Sequence, residues 1–271
     1  MMMYYNKDLF DRYGTTYPQL GWTWGDFLDS AIAVNNPSNG VFGYALQYEG
    51  DSAVYEPLML IYQHGGLIFD SLQTPTRATL DDPLNIEAME FYASLIYDHQ
   101  VAPAPDDPLL RQRPYPWRGV LEGRFAMWML TLADRGGERW GWRWNMNWGV
   151  VPLPRDQHAA SMGMVDGFFI SSQTAHPDEC WLWIKFLSQQ MPYFLMPARR
   201  SMAESGGYES QAGAEVAVAA RAAVEEAILV NPELLGFETA LSAMQQAFQA
   251  IRAGEVTPAE ALDAAQQQSG F

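Results

Sequence analysis

The residues most able to do chemistry are scattered through the chain. The four histidines, His64, His99, His158 and His176, never fall at i, i+3 or i, i+4 spacing, so no helix face collects the ligands of a metal ion. The single cysteine, Cys180, excludes an internal disulfide and a cysteine-based metal site; within the helical pattern "PDECWLWIKFL" it reads as a small buried hydrophobe. Ser205 in "ESGGY" has no nucleophile-elbow context. "GGERWG" lacks the Lys-Ser/Thr pair and the strand-loop-helix setting of a phosphate loop. Carboxylates are plentiful, with Glu49 and Asp51 after a strand and Asp81–Asp82 in a turn. Glycoside hydrolysis needs two of them across a cleft at a set gap, and no spacing in the chain marks such a pair. These patterns give catalysis little support and imply neither metal nor cofactor.

The stretch "RWGWRWNMNWGVVPLP" (139–154) offers a different chemistry. Trp140, Trp142, Trp144 and Trp148 alternate, with Met146 in the gap, which places them on one side of an extended strand. Such a row either stacks on a flat ligand such as a sugar or fills a core.

The elements around these residues alternate between short strands and helices, which is an α/β pattern. Residues 4–14 run from a strand into a helix that stops at Gly14. "TWGDFLDSAIAV" is a helix with Thr23 as N-cap and Asp26 in the capping position. "VFGYALQY" is a strand, "SAVYEPLMLIYQHGG" a helix ending on Gly65–Gly66, "LIFDSLQTPTRATLDD" a hairpin, and "PLNIEAMEFYASLIYDHQ" an amphipathic helix. "WRGVLEGRFAMWML" is a short helix, a turn and a strand; "WGVVPLP" and "GMVDGFFISS" are strands, and "HPDECWLWIKFLSQQ" is a helix. Three helical stretches close the chain, near 212–229, 232–253 and 257–268, the last opened by Thr257, Pro258 and Glu260.

The chain has 271 residues, 48% apolar and 13% aromatic, enough to bury a sizeable core. No apolar run approaches the ~18 residues needed to span a bilayer. A formal charge of −16, with 32 acidic against 16 basic residues, argues against nucleic-acid partners. The start, "MMMYYNKDLF", has no charged n-region, apolar segment or cleavage site. Either the protein is cytoplasmic or this sequence begins downstream of the true start.

Taken in order, "YYNKDLF", "TWGDFLDSA", "GYALQ", "HGGLIFD", "EAMEFYASLI", "EGRFAM", "WGVVPLP", "DGFFISS", "HPDECWLWIKFL", "PARRSMAES" and "GEVTPAEAL" closely resemble the extracellular solute-binding proteins of family 1, the sugar-capturing subunits of ABC importers. The collinear set covers nearly the whole chain. The resemblance implies a type II periplasmic-binding-protein fold, in which a ligand sits in a cleft between two α/β lobes and the closed form docks on a permease. It implies a monomer, located in the periplasm or held at the cell surface as a lipoprotein. Family members carry "YYNKDLF" mid-chain, so the expectation is one complete lobe (1–160 and 205–271) plus a strand-helix excursion (163–203) belonging to a first lobe mostly missing here. On that expectation the chain is truncated, the cytoplasmic alternative falls away, and sugar binding by these 271 residues alone is weak or absent.

Carried over from the family, the ligand contacts would be Tyr48, Glu49 and Asp51; Trp128, Thr131 and Asp134; Asp166 and Gly167; and Arg199. The stacking rings that sugar-binding members supply fall on Ala133 and near Leu241, so maltodextrin specificity does not transfer; Trp142 and Trp144, with Trp140, could line the cleft rim instead. Trp148 reads as framework. Each has a plainer alternative: Tyr48 could cap a strand edge, Trp128 alternates with Ala126 and Leu130 as a core residue would, and Arg199 could be solvated. Asp166, an acid on an apolar strand, needs a reason that a sugar hydroxyl would supply. Beside an oligosaccharide or polyol, a non-sugar solute such as glycerol phosphate and, from another class, a glycan-active hydrolase stay open.

Overall fold

The computed structural model describes residues 1–48, 52–111, 115–229 and 237–269. A four-stranded sheet forms its centre: β1 Met2–Asn6, β2 Phe42–Ala45, β3 Phe125–Leu130 and β4 Trp148–Val151, in the order β2-β3-β1-β4. β1 runs antiparallel to β3 (Tyr4 opposite Trp128) and to β4 (Tyr4 opposite Val150), while β2 is parallel to β3 (Ala45 opposite Trp128). A separate parallel pair joins β5 Ser161–Gly163 to β6 Ala227–Leu229.

Helices α1 Lys7–Tyr13, α2 Trp24–Val34, α3 Ser52–Gln63, α4 Pro83–Tyr97 and α5 Trp117–Leu121 occupy the first half. The second half carries α6 Pro177–Leu187, α7 Arg200–Ala203, α8 Gly206–Ala212, α9 Ala214–Glu225, α10 Phe237–Ala253 and α11 Pro258–Gln268. Their ends follow local chemistry. Thr23 and Asp26 close a reciprocal capping box on α2, as Thr257 and Glu260 do on α11, so backbone donors that the helix leaves open are satisfied within one turn. Gly14 stops α1 at φ +67°, a conformation that costs a glycine nothing.

Every residue of β1 is buried because both faces of the sheet are covered. Met3 and Tyr5 point to one side with Tyr44, Met127 and Met129, against Phe27, Leu58, Tyr92 and Phe248 of the α2, α3, α4 and α10 layer. Met2 and Tyr4 point to the other, with Phe42, Phe125, Trp128 and Val150, against Trp144 and Val216 of α9. Helix α2 lies so close to β2 that a Cβ at Gly43 would come within 2.3 Å of the Ala31 carbonyl oxygen, so only glycine fits there.

Three expectations need correction. The Trp-rich stretch is not an extended row: Leu132–Trp140 is a kinked 3-10 segment, Gly136, Gly137 and Gly141 have positive φ, and β4 begins only at Trp148. Alternation therefore does not carry through, and the tryptophans separate. No strand forms over 164–170 either; β5 ends at Gly163, and among the described residues nothing pairs with the chain beyond it. A strand lacks a hydrogen-bonding reason to exist without a partner. The stretch expected as a hairpin after Gly66 contains a single bridge, Phe69 to Ala78, with Asp70 accepting from the amides of Thr76 and Arg77.

Candidate functional site

The parallel pair β2-β3 sets the geometry. Because Ala45 is level with Trp128 and the two strands are parallel, the segments carrying Tyr48 and Thr131 both leave the sheet along one carboxyl edge. β1 begins at that edge, with Met2 opposite Leu130, and β5 abuts it through the Ser161 hydroxyl, which donates to the Met1 carbonyl at 2.8 Å. In open α/β sheets the crevice outside the strands' carboxyl ends is where ligands bind.

Tyr48 is half-buried. Its hydroxyl donates to the Pro103 carbonyl at 2.8 Å, its ring meets Tyr115 edge-on at 5.7 Å, and the Arg252 guanidinium lies 5.8 Å from its centroid. Thr131 and Asp134 form a closed turn after β3: the Thr131 hydroxyl donates to Asp134 Oδ2 at 2.5 Å, and the Thr131 carbonyl accepts from Tyr4 at 3.0 Å. Arg135 then ties this turn to a distant loop, donating to the carbonyls of Phe194 (2.6 Å) and Tyr193. Tyr193 stands 59% exposed beside it, its hydroxyl 3.1 Å from Glu138 Oε2. Sequence reasoning passed over Tyr193 and Arg135; the Pro-flanked aromatic pair in "MPYFLMP" was the available signal.

The other predicted contacts diverge. Trp128 has no exposed surface; it packs edge-on against Trp144 at 5.0 Å and stacks with Tyr4 at 6.3 Å. Trp144 is buried too, edge-on to Tyr4 and Trp148. Both rings belong to the core in this structure, because the glycine turns fold the Trp-rich chain back onto the sheet; Trp148 shares that framework, and among the described side chains of the stretch Trp142 is the tryptophan that stays open, at 40%. The side chain of Trp140 lies outside the described residues, as do Glu49 and Asp51. Asp166 and Gly167 are exposed on the non-strand segment after β5. Arg199 is exposed and donates to the Ser188 hydroxyl at 2.8 Å. Among the described residues no group of three or more histidine, cysteine or acidic side chains is placed to hold a metal ion.

Beneath the edge lies a buried acid-base assembly. Glu56 of α3 accepts from the Gln47 amide at 2.9 Å and from the Tyr44 hydroxyl, while Arg252 of α10 donates to the carbonyls of Gln47 and Ala53. Burial pushes the Glu56 carboxyl up to about 7 against the pull of Tyr44, the Gln47 amide and Arg252.

A second titratable cluster joins α3, α4 and the chain after β4. His64 Nδ1 lies 2.5 Å from Asp156, Nε2 lies 2.9 Å from Glu87, and the ring stacks on Trp24. Burial lowers its pKa, but the two carboxylates outweigh burial and hold it above its ordinary 6.5. The folded state thus keeps this proton more tightly than the unfolded chain. The stabilisation is complete below about pH 6.5 and fades as pH rises through the folded value. His64→Gln should flatten that part of the melting-temperature profile, with little change in midpoint on the alkaline side. An unaltered profile in the variant would remove His64 from the account.

Residues 1–190 match the bacterial extracellular solute-binding proteins. The chain belongs to that family. It is a family of binding proteins rather than enzymes, and the fold agrees with it. An ABC substrate-binding protein from Listeria monocytogenes, solved with cycloalternan, superposes with a TM-score of 0.77 at 20% identity, over 99% of this chain and 68% of that one. The maltose-bound MalE3 of T. maritima gives 0.73 at 19% identity, over 100% and 70%. UgpB from Mycobacterium tuberculosis, in complex with glycerophosphocholine, gives 0.74 at 14% identity, over 99% and 67%. The fold of this family member is therefore of the type II periplasmic-binding-protein kind, and the chain spans about two thirds of the length of these structures. No helix among the described residues is long and apolar enough to cross a membrane.

Proposed function

We propose that this solute-binding protein captures a carbohydrate, an oligosaccharide or related polyol, at the carboxyl edge of β2 and β3 and hands it to the permease subunits of an ABC importer as a monomer outside the cytoplasm. No bond is made or broken. The observation that carries the reading is that Tyr48 and the Thr131–Asp134 turn both follow the carboxyl ends of the parallel pair β2-β3: an aromatic ring to stack on a sugar face, with hydroxyl and carboxylate to meet its hydroxyls. Two of the superposing proteins were solved with cycloalternan and maltose, which supports a saccharide. Asp134, Trp142 and Tyr193 join Tyr48 as proposed contacts; Glu49, Asp51, Asp166, Gly167 and Arg199 keep that role only as the family resemblance assigns it.

In this reading residues 1–160 and 205–271 form one lobe and residues 163–203 reach into another. The exposure of Phe168, Phe169, Trp181, Leu182 and Trp183, with no buried residue in α6, supports it, because so much clustered apolar surface is otherwise covered.

A second reading, a phosphate-bearing solute, is favoured by one observation. Among the described residues the Tyr208 hydroxyl and Arg221 Nη2 are buried without hydrogen-bond partners, and the charges of Arg135 and Arg221 both act on Tyr208, an arrangement suited to an anion even with Glu209 at 3.8 Å from Arg221 Nη1. Thermal unfolding against maltose, maltotetraose, ribitol, glycerol 3-phosphate and glycerophosphocholine separates the two. Ligand at 100 times its dissociation constant adds about 2.7 kcal/mol. Stabilisation by a neutral saccharide or polyol is expected. A shift with the phosphates alone would replace the sugar reading by the second, and turnover of a chromogenic glycoside, lost on changing one carboxylate, would end both.

A further inference from the structure

We propose that Arg252 and Glu56 are positioning residues for the ligand edge: together they fix the backbone at Gln47 and Ala53, and with it the Tyr48 ring, and neutralising Glu56 loosens that hold. The backbone half stands alone; its bearing on capture rests on the reading of Tyr48 as a ligand contact.

The need for such a device begins in the sequence. β2 ends at Ala45, so the amide and carbonyl of Gln47, a buried residue, have left the sheet ladder. Pro57 sits inside α3, and a proline has no N–H to offer the carbonyl four residues back, which is that of Ala53. Buried backbone groups must still be paired. Arg252, only 3% exposed, meets both carbonyls with Nη1, Gln47 at 3.2 Å and Ala53 at 2.8 Å, and reaches the Tyr92 hydroxyl at 3.4 Å. Glu56, equally buried, takes the Gln47 amide on Oε2 and the Tyr44 hydroxyl on Oε1. A buried acid and base generally add no stability over apolar side chains of the same volume. Their use here matches a need for irregular backbone held firmly where β2 leaves the sheet.

Among the described residues the groups facing Glu56 are Tyr44 from β2, Tyr92 from α4, Arg252 from α10, and Tyr48 and Tyr115 from the loops. With its folded value at about 7, above the ordinary 4.5, Glu56 contributes stability that is complete below 4.5 and lost as pH rises through 7. The bond from the Gln47 amide runs the other way, because it is charge-assisted and strongest when Glu56 is ionised. Global stability and local hold therefore move in opposite directions with pH. A residue that only supported the fold would move them together.

The test is amide hydrogen exchange, corrected for intrinsic rates, on the full chain and on Glu56→Gln and Arg252→Lys, with thermal unfolding and a maltotetraose titration on the same samples. In the wild type, protection at Gln47 should drop about tenfold between about pH 8 and pH 6, the difference between a charge-assisted and a neutral hydrogen bond. In Glu56→Gln it should be low and flat with pH, and in Arg252→Lys residues 44–48 and 52–56 should lose protection while β1 and β3 keep theirs. Gln47 protection that ignores pH in the wild type, survives Glu56→Gln, or falls in step with β1 and β3 would overturn the proposal. The expected exchange pattern without maltotetraose binding upholds the positioning role and counts against the sugar reading alone.

Discussion

Trp128→Ala should cost about 3–5 kcal/mol of unfolding free energy, the range for emptying a fully buried aromatic site. The side chain has no exposed surface and lies between Tyr4, on the strand that Trp128 pairs with, and Trp144, which the glycine turns fold onto the sheet. Its removal leaves a cavity shared by β1, β3 and the Trp-rich segment, and neighbours fixed by strand pairing cannot collapse into it. A typical domain has only about 5–15 kcal/mol in total, so the variant should be largely unfolded at modest urea concentrations. Trp128→Phe should lose much less, since the indole N–H has no hydrogen-bond partner among the described residues and its loss orphans no acceptor there. Urea unfolding of the three proteins checks this. A Trp128→Ala midpoint close to wild type, paired with weakened sugar binding, would return Trp128 to the ligand site that the family resemblance assigned it.

Arg252→Met should also cost several kcal/mol, at about 1–3 kcal/mol for each buried carbonyl it leaves without a donor. The loss has two parts: Gln47 and Ala53 carbonyls left without Arg252, and a buried carboxylate without the guanidinium that opposes its desolvation. Because Arg252 pulls the Glu56 pKa down, the single variant should raise it further. Its penalty is then largest above neutral pH, where Glu56 must ionise, and smaller near pH 5. Adding Glu56→Gln to Arg252→Met should recover part of the loss, and the coupling in the double-mutant cycle measures the pair. Strictly additive single and double losses would show that the two side chains do not act as a unit.

The difference between these residues and the helix caps explains how far the chain could be understood from its text. Thr23 with Asp26, Thr257 with Glu260, and Gly14 act within one turn, so their chemistry is complete in a few neighbouring letters. The order of short motifs likewise carried the family and the α/β fold, and put Tyr48 and Thr131 just after two strands. Trp128 and Trp144 were open to either use, because an aromatic on a strand is equally suited to a core or a cleft until the second layer is known.

What the sequence determined by itself was governed by contacts a few residues apart: the capped ends of α1, α2 and α11, the strands β1 to β4, and through the order of short motifs the family of solute-binding proteins; the strand expected over 164–170 failed because its partner lies outside such local contacts. The tertiary structure alone decided which rings are core, because three left-handed glycines redirect the Trp-rich segment onto β1. It alone brought Arg252 to carbonyls that are 205 and 199 residues away in sequence, Gln47 and Ala53. Pro57 announces in the sequence that a carbonyl will lack its helical donor; which side chain answers it is a property of the packing of α10 on α3.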